Sequence, residues 1–73
     1  MRILLVEDDS ALGDGIYKGL KQYGYTVDWL TDGRTAFSSI KTETFDVILL
    51  DLNLPGLPGL SVLREMRAAG ITV

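Results

Sequence analysis

The chain has 73 residues, and its seven Lys and Arg side chains against ten Asp and Glu side chains give a net charge of −3 at neutral pH. It contains no cysteine and no histidine, which excludes disulfides, thiolate zinc sites and Ser-His-Asp catalysis, so any bound metal must be held by oxygen. The acidic balance argues against a nucleic-acid-binding surface, and no apolar run approaches the roughly 18 residues of a membrane span.

The first predicted element is the apolar run Ile3–Val6, which is typical of a strand buried on both faces. Acidic residues end this run too early for a signal peptide, so we expect a cytoplasmic protein that does not associate with membranes. Helical spacing begins at Ser10, with Asp9 or Ser10 as the N-cap and Gly24 as the stop. The predicted buried stripe of this helix is Leu12, Ile16 and Leu20.

The middle of the chain predicts a strand and a helix. Apolar and polar residues alternate over Tyr25–Leu30, which indicates an edge strand. The turn 31–33 can cap the next helix, and we interpret Asp9 and Asp32 as helix-capping residues. The predicted buried stripe of this second helix is Ala36, Phe37 and Ile40.

A third strand is predicted over Phe45–Leu50, and its four consecutive aliphatic residues are typical of a central parallel strand covered on both faces. The loop 52–59 holds both prolines and two glycines, so it cannot be helical throughout. A last helix ends at Gly70, and Ile71–Val73 begins another extended segment. The predicted buried stripe of the last helix is Leu60, Leu63 and Met66.

The element order is βαβαβα plus the start of a fourth strand, which predicts a doubly wound α/β fold with a parallel sheet and helices on both faces. Composition shows no linker or repeat that would indicate a second domain. A central third strand needs a neighbour on each side, and only three residues remain to form one. We therefore expect residues 1–73 to be a truncated, N-terminal part of one domain.

Acidic residues follow two of the predicted strands. Glu7 and Asp8 follow the first strand and Asp51 follows the third, and ligands of open α/β sheets bind outside the carboxyl ends of strands. Carboxylates that converge there raise one another's pKa or require a cation, and a site with oxygen ligands alone favours Mg²⁺. A carboxylate in this position can also attack phosphorus, and the charge added by phosphorylation would act as a switch.

Two segments that contain these acids resemble the receiver domain of two-component response regulators. Residues Ile3–Asp9 are similar to its first strand and acidic pair, and residues Val47–Gly56 to its phosphoacceptor strand and loop. The resemblance covers the whole chain and implies a flavodoxin-like fold. Residues Gly13–Ile16 and Val27–Trp29 most resemble the regulators with a C-terminal winged helix, and among them the quorum-sensing branch.

The resemblance implies that Asp51 is the phosphoacceptor. It also implies that Mg²⁺ is bound directly by Asp8, Asp51 and the backbone carbonyl of Asn53, and through a water by Glu7. The switch Ser or Thr and the phosphate-binding Lys of the family belong to later strands that this chain lacks. Pro58 stands where the family usually has an acidic residue, which stiffens the loop without changing the chemistry.

The resemblance further implies a sensor histidine kinase as the phosphate donor, and no enzymatic activity beyond self-phosphorylation and dephosphorylation. Transcription would be controlled through a C-terminal DNA-binding domain outside this chain. We expect a homodimer in the parent protein. In the fragment we expect the unpaired edge of the third strand to be exposed and available for association.

Two other classes of function remain as alternatives. Asp51-Leu52-Asn53 resembles the start of the Asp-x-Asp motif of haloacid dehalogenase-type phosphohydrolases, but the second acid is replaced by Asn53. That alternative also leaves the acids after the first strand without a role. In the other alternative the acids only cap helices of a non-phosphorylated interaction module, which predicts no Mg²⁺ dependence. We interpret Trp29 and Phe37 as core residues.

Overall fold

The computed structural model describes residues 1–73 and contains three strands that alternate with three helices. The sheet is parallel throughout and has the strand order β2-β1-β3, which confirms the predicted fold class. No helix is long and apolar enough to cross a membrane. The elements are β1 (Arg2–Val6), α1 (Ser10–Gln22), β2 (Thr26–Leu30), α2 (Gly33–Thr42), β3 (Val47–Leu50) and α3 (Gly59–Ala68).

Strand β1 forms the middle of the sheet and is buried on both faces, as its unbroken apolar run predicts. Leu4 and Val6 are fully buried on the face covered by α2 and α3. Ile3 and Leu5 are buried on the face covered by α1. Helices therefore cover both sides of the sheet, as predicted. The other buried members of the larger cluster are Ala36, Ile40, Phe45, Leu54, Val62 and Met66.

Strand β3 lies at an edge of the three-stranded sheet, so one of its edges is unpaired, as predicted for the third strand of this chain. Only β1 pairs with it, and Leu49 is 39% exposed on its uncovered face. Residues Ile71–Val73, predicted as the start of a fourth strand, form no regular element. Ile71 and Val73 pack against the larger core cluster instead. The prediction of an edge position for β2 is confirmed.

Two of the predicted helical stripes are wrong in part. In α1, Leu12 is exposed and Gly13 is buried, because the indole of Trp29 lies against the Gly13 backbone. In α3, Leu60 and Leu63 are exposed. The first residue of α3, Gly59, lies against the backbone of Asp51 just after β3, on the inward face of the helix. This inward face consists of Gly59, Val62 and Met66.

Side-chain caps fix the starts of the first two helices. Asp9 caps α1 by accepting a hydrogen bond from the Leu12 amide at 3.0 Å. Asp32 caps α2 by accepting one from the Thr35 amide at 2.8 Å. Both capping residues agree with the sequence interpretation. Gly24 follows α1 with a φ of 86°, the left-handed conformation that its predicted role as a helix stop requires.

Candidate functional site

The pairing of β1 with β3 brings the acidic residues together. Val6 lies beside Leu50 in the parallel register, so Glu7 and Asp51 leave the sheet at the same edge. The Asp51 amide continues the pairing by donating to the Val6 carbonyl at 3.0 Å. Glu7, Asp8 and Asp51 each place one carboxylate oxygen in a group, and these three oxygens lie within 4.8 Å of one another. We call these three residues the acidic cluster.

Glu7 is the buried member of the acidic cluster, with 8% of its surface exposed. Burial raises the pKa of its carboxyl group above the ordinary value of 4.5, and the nearby charge of Asp51 raises it further. A weaker opposing effect comes from the Asp9 amide, which donates to Glu7 Oε1 at 3.4 Å. A cation placed beside the cluster would relieve this repulsion.

Asp51 is partly buried, whereas Asp8 and Asn53 are exposed. The Asn53 amide donates to Asp51 Oδ1 at 3.1 Å, so the loop after β3 turns back onto the carboxylate. The structure thus places all four of the predicted site residues at one edge of the sheet, three of them in the acidic cluster and Asn53 hydrogen-bonded to it.

The loop that follows Asp51 is held by two glycines that sequence reasoning did not select. A methyl group on Gly59 would lie 2.0 Å from the backbone oxygen of Asp51, and one on Gly33 would lie 1.6 Å from the backbone oxygen of Leu57. The Gly33 amide also donates to the Pro55 carbonyl at 3.3 Å. Gly33 is the first residue of α2 and Gly59 the first residue of α3, and Gly59 directly follows the proline-rich loop. These positions are the sequence signal that could have identified the two glycines as close-contact residues.

The donors of the acidic cluster fit a hard divalent cation. All three are carboxylates, the ligand type that Mg²⁺ prefers, and no nitrogen or sulfur ligand accompanies them. The burial of Glu7 next to Asp51 concentrates negative charge that one divalent ion can balance. The arrangement can therefore hold Mg²⁺ at a point where a phosphate oxygen could also reach it.

A parallel α/β sheet with carboxylates converging beyond neighbouring strand ends places the acidic cluster where open α/β sheets bind their ligands. Residues 3–73 match the response regulator receiver domain, and the chain belongs to that family. This confirms the family that the sequence resembles, and the chain is a receiver-domain sequence of the two-component response regulators.

Curated relatives support the transcription-regulator class within the family. The chain is 49% identical over 70 residues to the transcriptional regulatory protein QseB of Escherichia coli O157:H7, which covers 96% of this chain and 32% of the relative. It is 51% identical over 71 residues to the response regulator protein PmrA of Pseudomonas aeruginosa, covering 97% and 32% respectively. The chain thus spans about a third of the length of these relatives.

Solved structures show the same fold. The receiver domain of the Francisella response regulator 1452 superposes with a TM-score of 0.92 at 30% identity, covering 96% of this chain and 58% of that one. The receiver domain of the sensor histidine kinase PA1611 of Pseudomonas aeruginosa superposes with a TM-score of 0.89 at 42% identity, covering 92% and 55%. That domain has a magnesium ion coordinated in its active site cleft.

Proposed function

We propose that Asp51 is the phosphoacceptor of this receiver domain, and that its phosphorylation switches a regulator of transcription. The observation that carries the proposal is the acidic cluster, in which the carboxylates of Glu7, Asp8 and Asp51 converge within 4.8 Å at the carboxyl edge of the sheet. Burying Glu7 beside the charge of Asp51 is costly unless a cation or a reaction uses these carboxylates.

In the proposed step, a carboxylate oxygen of Asp51 attacks the phosphorus of the donor. The new O–P bond forms while the bond from phosphorus to the donor nitrogen or oxygen breaks. The electron pair leaves with the donor, which takes up a proton. The product is an acyl phosphate on Asp51, and the phosphoryl group replaces one negative charge with nearly two.

The proposal assigns Mg²⁺ as the cofactor, bound directly by Asp8, Asp51 and the backbone carbonyl of Asn53, and through a water by Glu7. When bound, the ion screens the repulsion between the carboxylates and the incoming phosphoryl oxygens. The chain's own contribution is to hold the nucleophile. Asp51 is held by the hydrogen bond that its backbone amide donates to the Val6 carbonyl, and its carboxylate accepts a hydrogen bond from the backbone amide of Asn53.

The partners follow from the family. The proposed donor is a sensor histidine kinase, and the protein itself turns over no substrate beyond its own phosphorylation and dephosphorylation. The names of the curated relatives support an output through DNA, which we assign to a domain outside these residues. We propose a cytoplasmic homodimer for the parent protein, and association of the isolated 73-residue chain through the free edge of β3.

Acetyl phosphate, a small acyl phosphate, tests the proposal directly. In the presence of Mg²⁺ we expect one phosphoryl group to be incorporated, in a linkage that hydroxylamine cleaves as it does other acyl phosphates. Chelation of the metal should abolish incorporation. Equal incorporation in a chelator would contradict the assignment of Mg²⁺ as the cofactor. No incorporation with or without Mg²⁺ would contradict the phosphoacceptor and favour the non-phosphorylated interaction module, and sustained hydrolysis of a phosphomonoester would favour the phosphohydrolase alternative.

A further inference from the structure

Trp29 connects the edge strand β2 to the acidic cluster. It is the only tryptophan of the chain, and its indole Nε1 donates a hydrogen bond to the backbone carbonyl of Glu7 at 3.0 Å. The amide of Glu7 donates to the carbonyl of Leu30, the next residue of β2, also at 3.0 Å. Both backbone polar groups of Glu7 are therefore held by the end of one strand.

Gly13 in α1 makes this position of the indole possible. A methyl group on Gly13 would lie 2.2 Å from Trp29 Cζ2 and 2.9 Å from the donating Nε1. One turn further along α1, the ring of Tyr17 lies against the indole with 6.0 Å between ring centroids. The indole is thus confined between α1 and the Glu7 carbonyl.

The Glu7 carbonyl belongs to the peptide group that leads into Asp8. Because that group is planar, a hydrogen bond that fixes the carbonyl also fixes the direction in which the Asp8 backbone leaves β1. The carboxylates of Glu7 and Asp8 stand on either side of this peptide. Their relative placement in the acidic cluster therefore depends on the indole N–H.

We propose that Trp29 is a positioning residue for the metal site: it contacts no ligand oxygen but holds the Glu7–Asp8 peptide so that both carboxylates face Asp51. The inference rests on the proposed function, since it concerns the same Mg²⁺ site. It gives Trp29 a role beyond the core packing that the sequence suggests.

The indole N–H reports on the site without any substitution. Because Trp29 is the only tryptophan, ¹⁵N-labelled protein gives one indole cross-peak in a proton–nitrogen correlation spectrum. We expect this peak to move saturably as Mg²⁺ is added, with the dissociation constant that calorimetry gives for the same protein. A peak that stays in place at saturating Mg²⁺ would overturn the inference.

The variant Trp29→Phe removes the donor and keeps an aromatic ring in the strand. We expect its dissociation constant for Mg²⁺, measured by calorimetry, to rise about three- to tenfold, the range that the loss of one hydrogen bond gives. Replacing Trp29 with benzothienylalanine, which has sulfur in place of the indole N–H, should weaken binding equally while keeping the shape. Phe37→Leu trims a partly buried aromatic residue beside the other core cluster and should leave Mg²⁺ binding unchanged.

The outcomes separate this inference from the proposed function. Absence of Mg²⁺ binding by the unsubstituted protein would overturn the proposed cofactor and the role of Trp29 with it. Mg²⁺ binding that is equal in the unsubstituted protein and in the benzothienylalanine variant would overturn the role of Trp29 alone. Equal weakening by Phe37→Leu and Trp29→Phe would also overturn it, since it would show a general effect of stability.

Discussion

The first residue of α3, Gly59, touches the backbone of Asp51, and a methyl group added to it would lie 2.0 Å from the Asp51 carbonyl oxygen. The Asp51 amide is bonded to the Val6 carbonyl on the other side. The proposed phosphoacceptor is therefore held at both ends of its own backbone, by the central strand and by the start of a helix. This contact brings the two ends of the loop between Asp51 and Gly59 together, on the face of α3 that also buries Val62 and Met66.

We expect Gly59→Ala to reduce the free energy of unfolding by about 1–3 kcal/mol, because the added methyl group meets backbone that cannot move aside alone. Gly15→Ala is the matched control, since nothing lies within 4 Å of that position in α1. It should raise stability by about 0.5–1 kcal/mol through helix propensity. Urea unfolding measures both values, and equal effects of the two substitutions would contradict the contact.

Glu7→Gln should stabilise the protein when a chelator removes divalent ions. Burial and the charge of Asp51 raise the pKa of Glu7, so the folded protein holds its proton at a pH where the unfolded chain has released it. Stability should therefore fall as the pH rises from about 4.5 through the raised pKa, and the Gln variant should lack this loss.

The control for this prediction is Glu65→Gln, which changes an exposed carboxylate of α3 outside the acidic cluster. Thermal unfolding at several pH values measures the effect. A Glu7→Gln variant that is less stable than the unsubstituted protein at neutral pH, in chelator, would show that the buried carboxylate is not penalised by its surroundings.

Asp32 should stabilise the protein in its charged form. The Thr35 amide and, second, its hydroxyl group donate to the carboxylate and lower the pKa of Asp32. The stabilisation is present above the ordinary value of 3.8 and is lost as the pH falls through the lower value of the folded protein. Asp32→Ala should therefore lower the melting temperature at neutral pH, because α2 loses its cap.

Asp32→Asn distinguishes the cap from the charge. Asparagine also caps helices, so this variant should keep most of the stability at neutral pH and lose less of it on acidification. Melting curves recorded from neutral pH to about pH 2 measure the comparison. An Asn variant as unstable at neutral pH as the Ala variant would contradict the capping role.

The sequence predicts the positions of Glu7, Asp8 and Asp51 because a short aliphatic run followed by an acid marks a strand end, and parallel strands end at one edge. It does not predict which face of α3 is buried. Leu60, Leu63 and Met66 form a plausible apolar stripe, but Gly59 lies against the Asp51 backbone and Val62, with Met66, is buried on the same face.

The close packing of Gly13 against Trp29 could also not be predicted from the sequence. A glycine within a helix indicates only a lower helix propensity. The contact between Gly13 and Trp29 shows that this glycine makes room for the indole ring. The partner of β3 in the sheet depends on the pairing of all the strands, which its run of four aliphatic residues does not by itself determine. Local pattern thus determines the elements here, and the close contacts between them determine how the site is held.

The most direct test of the account is the intact mass of the protein after incubation with Mg²⁺ and acetyl phosphate. Asp51→Asn is compared with Asp46→Asn, a matched substitution of an exposed acid just before the opposite end of β3. We predict one added phosphoryl group in the unsubstituted protein and in Asp46→Asn, and none in Asp51→Asn. An unchanged adduct in Asp51→Asn, or no adduct in the folded, unsubstituted protein, would contradict the assignment of Asp51 as the phosphoacceptor.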